Sequence, residues 1–167
     1  MDTTLSMTND NQGLYRLHEG DLALSVPEPW EDQSVNVLRL PGDGHAVASL
    51  IVSRDNLPVG LTVAAYTERE LKRLAKELPA FELKARIAVA WPDGKGEALL
   101  TRWKAASGQM DQITACRIAY GRRLLIFTAT HASPMPNGIY NTFIAAISGF
   151  RPSPESRGPT PLDAASV

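Results

Sequence analysis

The 167-residue chain has little with which to build several classes of protein. It holds one cysteine, Cys116, so no disulfide can form within the chain and no zinc-finger spacing exists. Neither charge dominates: 17 basic residues face 18 acidic ones, a formal net charge of −1. A general nucleic-acid binder needs clustered Lys and Arg to displace counterions from phosphates, and the densest basic stretch here, 69–76, is interleaved with Glu68, Glu70 and Glu77. Long apolar runs are also missing. The longest, such as 87–91 and 124–127, fall far short of the roughly 18–20 residues of a membrane-spanning helix. The first 13 residues are polar and acidic and resemble neither a signal peptide nor a lipid-anchored leader, which points to a cytoplasmic protein.

What is present is an ordinary domain's apolar content, 44% of residues. A domain of this size buries about 68–70% of the surface its unfolded chain exposes, enough for a core without metal or disulfide staples. Residues 1–13 and 151–167, rich in polar residues and in proline respectively, are expected to be disordered, which leaves a folded unit over 14–150.

Within that unit, residues 21–26 alternate apolar and polar up to Pro27, a strand pattern, and Pro27-Glu28-Pro29-Trp30 reads as a turn. Segments 34–40 and 46–53 flank Pro41-Gly42-Asp43-Gly44 and predict an antiparallel hairpin. Between Gly60 and Pro79 the period changes to 3.6, with Val63, Tyr66 or Thr67, Leu71, Leu74 and Leu78 on one stripe: a long helix that Pro79 stops. Strands over 82–91, 96–105, 110–120 and 124–130, separated by short turns, predict a four-stranded meander. A second helix over 136–148 closes the domain. The order βββ-α-ββββ-α predicts an α+β fold: a curved antiparallel sheet of about seven strands with two main helices packed on one face. The other face would be left open as a trough.

The usual marks of catalysis are missing. His18, His45 and His131 are scattered and form no ligand spacing; Ser53 and Ser133 lack a nucleophile-elbow context; Gly42-Asp43-Gly44 is too short to cradle phosphate. Asp93, Glu97 and Asp111 sit at turns or strand ends with nothing to pair them for acid–base work. Neither an enzyme nor a cofactor is expected, and an uncharacterised enzyme would need a polar pocket with perturbed titrating groups.

The segments Tyr15-Arg16-Leu17-His18-Glu19-Gly20, Val26-Pro27-Glu28-Pro29-Trp30-Glu31-Asp32-Gln33-Ser34-Val35-Asn36-Val37-Leu38 and Ser49-Leu50-Ile51-Val52-Ser53-Arg54-Asp55, with the helix from Tyr66 to Leu74 and Leu78-Pro79-Ala80-Phe81 after it, resemble the effector-associated (Eag) chaperones of type VI secretion, whose fold is DcrB-like and related to Mog1/PsbP-like proteins. The likeness spans about 14–151, weakens in the meander and leaves out both tails. It implies a cytosolic homodimer that shields the N-terminal transmembrane helices of a PAAR/Rhs-type effector until loading on the VgrG spike. It also implies site residues. Val35 and Val37 match groove-lining aliphatics; Ile51 would join them if the hairpin register set it opposite Val35. Glu70 stands where the family carries a helix glutamine, and Gln112, with Gln109 as alternative, matches a strand glutamine. Leu78 matches a further apolar contact, or packs in the core against Phe81. The competing reading is a DcrB-like or Mog1/PsbP-like module with a soluble protein partner.

Overall fold

A computed structural model describes residues 15–16, 21–22, 33–41 and 46–152. The two tails expected to be disordered (save residues 151–152), the strand residues 23–26, the turn at 27–30 and the hairpin tip at 42–45 lie outside the described residues. In the N-terminal unit, strands β1 (Tyr15–Arg16) and β2 (Asp21–Leu22) form a ladder of their own, pairing Tyr15 with Leu22 and Arg16 with Asp21.

The second unit, from Ser34 onward, contains β3 (Asn36–Pro41), β4 (Ala46–Asn56), α1 (Val63–Glu77), β5 (Glu82–Trp91), β6 (Gly94–Ala105), β7 (Gly108–Tyr120), β8 (Arg123–Ala132) and α2 (Asn137–Ser148). The six strands form one antiparallel sheet in the order β3-β4-β8-β7-β6-β5. The expected count of seven is therefore corrected to six: the described part of the first predicted strand, Asp21–Leu22, pairs with β1.

Local chemistry explains the helix boundaries. Thr62 caps α1, its hydroxyl accepting from the Ala65 N–H at 3.1 Å; Gly60, two residues earlier, turns the chain with φ +78°. At the far end the Leu78 N–H closes on the Leu74 carbonyl, Pro79 prevents continuation, and the Pro79 carbonyl accepts from the Lys104 N–H at 2.8 Å, tying the helix end to β6. The chain then crosses to the far edge of the sheet and returns strand by strand, so that β8 arrives beside β4.

The helices lie on opposite faces, not on one. Leu124 and Cys116 bury with Tyr66 of α1, and Ile126 packs against that cluster. Their chain neighbours Leu125 and Ala115, with Phe127, bury with Phe143 and Ile147 of α2. Successive residues of a strand point to opposite faces, so the two clusters are on different sides. Periodicity shows that each helix has an apolar stripe but not which face of the sheet receives it. On the α2 side, fully buried Ala98, Ala115 and Ala129 share the cluster with α2, Phe127 meets Phe150 edge-on at 5.5 Å, and Trp91 Nε1 donates to the Ile147 carbonyl at 2.9 Å. Asp111, almost fully buried, anchors the start of the final connection: it accepts two hydrogen bonds from Arg102 and one from the Met135 N–H.

Candidate functional site

The α1-side face is covered unevenly. Near the start of the helix it is sealed by Tyr66, Leu57, Cys116 and Leu124, with the Tyr66 hydroxyl donating to Asp55 at 2.7 Å. Burial, together with that carboxylate, pushes the phenol well above the ordinary tyrosine range. Toward β3 the cover ends.

The register defines what lies there. One cross-sheet row runs Val37, Ile51, Thr128, Thr114, Leu99; the next runs Arg39, Ser49, Thr130, Gln112, Thr101. Ile51 is thus opposite Val37, not Val35. Because Val35 precedes β3 by one residue and follows the same alternation as Val37, the corrected register still keeps all three on one side. Val35 and Val37 remain 52% and 48% exposed, and Ile51, Ser49, Thr114, Thr128, Thr130 and Gln112 are all half-buried. On the opposite face Ile113, Ala115 and Ala129 are wholly buried. In β7 and β8 residues therefore differ in exposure by side, whereas in β3 both sides are exposed, Leu38 at 63% and Leu40 at 49% on the other face.

Gln112 belongs to this open face, where its Nε2 donates to Thr114 Oγ1 at 3.1 Å. Gln109 has the opposite parity and is exposed, so the two glutamines are separated by geometry. On α1, Tyr66, Glu70, Leu74 and Leu78 recur every four residues and form a stripe. Glu70 is not a bare carboxylate: it accepts from Arg73 at 2.8 Å and lies 3.7 Å from Arg69. Leu78 is half-buried at the helix C-cap. The distance across the sheet from β3 to β7 is three strand spacings, about 14 Å.

Sequence reasoning missed Ser49, Thr114, Thr128 and Thr130. In the sequence each is an ordinary strand former; only the pairing of β4 with β8 and β8 with β7 lines them up beside Ile51 and Gln112. Among the described residues, no group of His, Cys, Asp and Glu could hold a metal ion, and no helix is long and apolar enough to cross a membrane.

The sequence model of the DcrB family matches residues 19–149. This chain belongs to the DcrB family. It is 45% identical over 74 residues to Effector EagT6 of Pseudomonas aeruginosa, a match covering 44% of this chain and 50% of that protein, so the chain spans about half the length of this relative. That kinship supports the likeness to the Eag chaperones of type VI secretion. Among solved structures, the Pseudomonas aeruginosa protein of unknown function PA94 superposes with a TM-score of 0.65 at 31% identity, covering 84% of this chain and 96% of that one. The cyanobacterial PsbP (CyanoP) of Synechocystis has the same fold, with a TM-score of 0.50 at 13% identity over 68% of this chain and 79% of that one. The α+β architecture of this DcrB-family protein is therefore shared with PsbP.

Proposed function

We propose that this DcrB-family chain is a type VI secretion chaperone whose open face binds the N-terminal transmembrane helices of a PAAR/Rhs-type effector in the cytosol, as a homodimer, and supports loading on the VgrG spike. The single observation that carries the reading is the strip between β3 and α1. Aliphatic Val35, Val37 and Ile51 share one face of the sheet with a row of hydroxyl and amide groups, and we assign the Glu70–Leu78 stripe of α1 to the other wall. Kinship with EagT6 supports the effector-associated role.

The physics suits that cargo. A transmembrane helix satisfies its own backbone hydrogen bonds, so in water its liability is apolar side-chain area, worth about 25 cal/mol per Å² when covered. Serine, threonine and glutamine on the floor offer the polar contacts by which membrane helices hold one another. Glu70 departs from the family's glutamine. Its carboxylate only accepts when ionised, and Arg73 already occupies it, so we assign this position to shaping the wall. No cofactor enters this reading, and no catalytic residue is assigned.

The test is co-expression with a candidate effector bearing N-terminal apolar segments, ideally one encoded nearby. The two should copurify, and the effector should lose its dependence on this protein for solubility when those segments are deleted. If they do not copurify, and the deletion leaves solubility unchanged with or without this chain, the chaperone reading fails.

A further inference from the structure

Among the described residues seven large apolar side chains stand exposed, and four of them, Val35, Val37, Leu38 and Leu40, fall within six consecutive positions on or beside β3. The register divides them between the two faces. Val37 is opposite Ile51 on the α1 side, with Val35 continuing its alternation, whereas Leu38 and Leu40 are opposite Leu50 and Ala48 on the α2 side. Both faces of this strand are therefore apolar and exposed, and β3 is the last strand of the sheet.

The outer edge of β3 is open as well. Its ladder with β4 uses the backbone groups on one side only, and no described strand pairs with the other. Natural sheets blunt such an edge with charges, prolines, bulges or a covering element. β5, the opposite edge, is blunted: Glu82, Lys84 and Arg86 alternate along it, a register shift interrupts it at Lys84, and Arg86 donates to Glu68 of α1 at 2.6 Å. By contrast, β3 carries one charge, Arg39, and its proline, Pro41, is the final residue. Arg54 donates to the Ser34 carbonyl at 2.8 Å, which keeps the chain alongside β4 two residues before the ladder begins, so the open edge runs through Val35.

An occupant of this edge must supply a strand that is apolar on both faces and free along one side, and it must not set a second cation against Arg39. The β3 strand of a second copy meets all three demands. Two copies would pair antiparallel about a twofold axis perpendicular to the sheet. Side chains of facing residues lie on the same side of a sheet, so facing residues have the same parity and one residue meets its own counterpart at the axis. With Leu38 or Val37 on the axis, Arg39 is opposite the partner's Val37 or the partner's Val35, which keeps the like charges apart. Leu38 and Leu40 gain cover on the α2 side in the same step.

We propose that β3 is the edge along which two copies of this chain pair, joining their six-stranded sheets into one. The proposal deepens the chaperone reading, whose homodimer it gives an interface, and rests on that reading only for the role of the joined face. The twofold keeps the α1 sides of both sheets on the same side. Val35 and Val37 then lie at the centre of a shared face with the α1 helix of each copy at its borders. The strip, which a single chain bounds with α1 on one side only, is completed by the second copy.

The experiment is size-exclusion chromatography with light scattering on the full chain at about 50 µM, a concentration that populates dimers of micromolar Kd. Wild type should show twice the 18.1 kDa of one chain. Leu38→Lys together with Leu40→Lys puts charge on this edge and leaves Val35 and Val37 in place. It should weaken the dimer about tenfold or more, with the melting temperature retained because both leucines are exposed. Single cysteines read the contact without relying on that variant. On mild oxidation Val37→Cys or Leu38→Cys should crosslink the copies, because facing residues of antiparallel strands have Cα atoms about 4.5–5.5 Å apart, within disulfide reach. Val59→Cys, exposed but far from this edge in the sequence, should not, and the native Cys116 is buried. A wild type that runs as a monomer leaves the edge to another occupant and overturns the proposal. So does a folded double-lysine variant with unchanged dimerisation, or a dimer that crosslinks at neither position. Copurification with the effector is measured alongside: a monomer that captures the effector ends this proposal and keeps the chaperone reading, and a β3-paired dimer that captures none does the reverse.

Discussion

Replacing Val35 and Val37 together by aspartate tests the open strip directly. Both side chains are about half exposed, so the fold has little invested in them. Their contribution to stability is on the order of 1 kcal/mol each, and the change in β propensity adds up to about 1 kcal/mol. A bound apolar helix would cover the remaining half of each valine, worth about 1 kcal/mol apiece. Aspartate forfeits that gain and places a carboxylate against an apolar partner, where incomplete desolvation still costs several kcal/mol. A combined loss of about 4 kcal/mol corresponds to a nearly thousandfold weaker complex. The assay is copurification with an effector's N-terminal segment, quantified against wild type, alongside circular dichroism and the thermal midpoint. Retained binding with an intact fold would refute the assignment of Val35 and Val37 to the groove. Lost binding with a collapsed midpoint would show that the two valines belong to the core and would refute the exposure argument as well.

Asp111→Ala should destabilise the domain by about 2–3 kcal/mol, somewhat below the figure for a fully buried pair because Arg102 keeps 28% of its side chain exposed; chemical denaturation measures it. Burial alone would raise the Asp111 pKa, but hydrogen bonds from Arg102 and the Met135 N–H outweigh it and hold the carboxyl below its ordinary value. A depressed carboxylate pKa stabilises the fold above the unfolded value, near 3.9, and that contribution is lost as pH falls through the folded one. Stability should therefore drop below about pH 4 in wild type and less steeply in Asp111→Ala; parallel profiles would refute the assignment. Tyr66→Phe removes the donor to Asp55 and should cost about 1 kcal/mol or slightly more, read as a lower denaturation midpoint with an unchanged denaturant slope. In Gly96→Ala the new methyl would collide with the Trp91 ring, so the β5–β6 hairpin must shift; a loss of about 1–3 kcal/mol and an altered near-ultraviolet tryptophan signal are expected. A neutral Gly96→Ala would show that Trp91 is free to move.

How much of this was legible in sequence differs between levels. Alternation and turn residues located β5 through β8 to within two residues at each end, and the 3.6 period located both helices. Those signals are local, arising from side-chain direction along a single element. Residue pairs two apart also had to share a face, which is why Val35 and Val37 stay together whatever the register. The choice between Gln109 and Gln112 is similar in kind: three residues apart on one strand, they must face opposite ways, but which one accompanies Ile51 needs the pairing.

The sequence by itself therefore determined the elements from β3 onward, their order and the division of each strand into two sides, while the short β1 was not read from it. Tertiary structure decided which sides were joined. The crossover through α1 carries β5 to the far edge, and the returning meander delivers β8 to β4, so β3 and β4 become one surface with β8 and β7 despite their separation in the chain. It also decided that the two apolar helix stripes go to opposite faces, α2 packing on the alanine-rich middle of one side and α1 covering only part of the other. A period fixes a direction only relative to its own element. The partner across the sheet is chosen by long-range packing, and that choice leaves the strip of Val37, Ile51, Thr128 and Thr114 open.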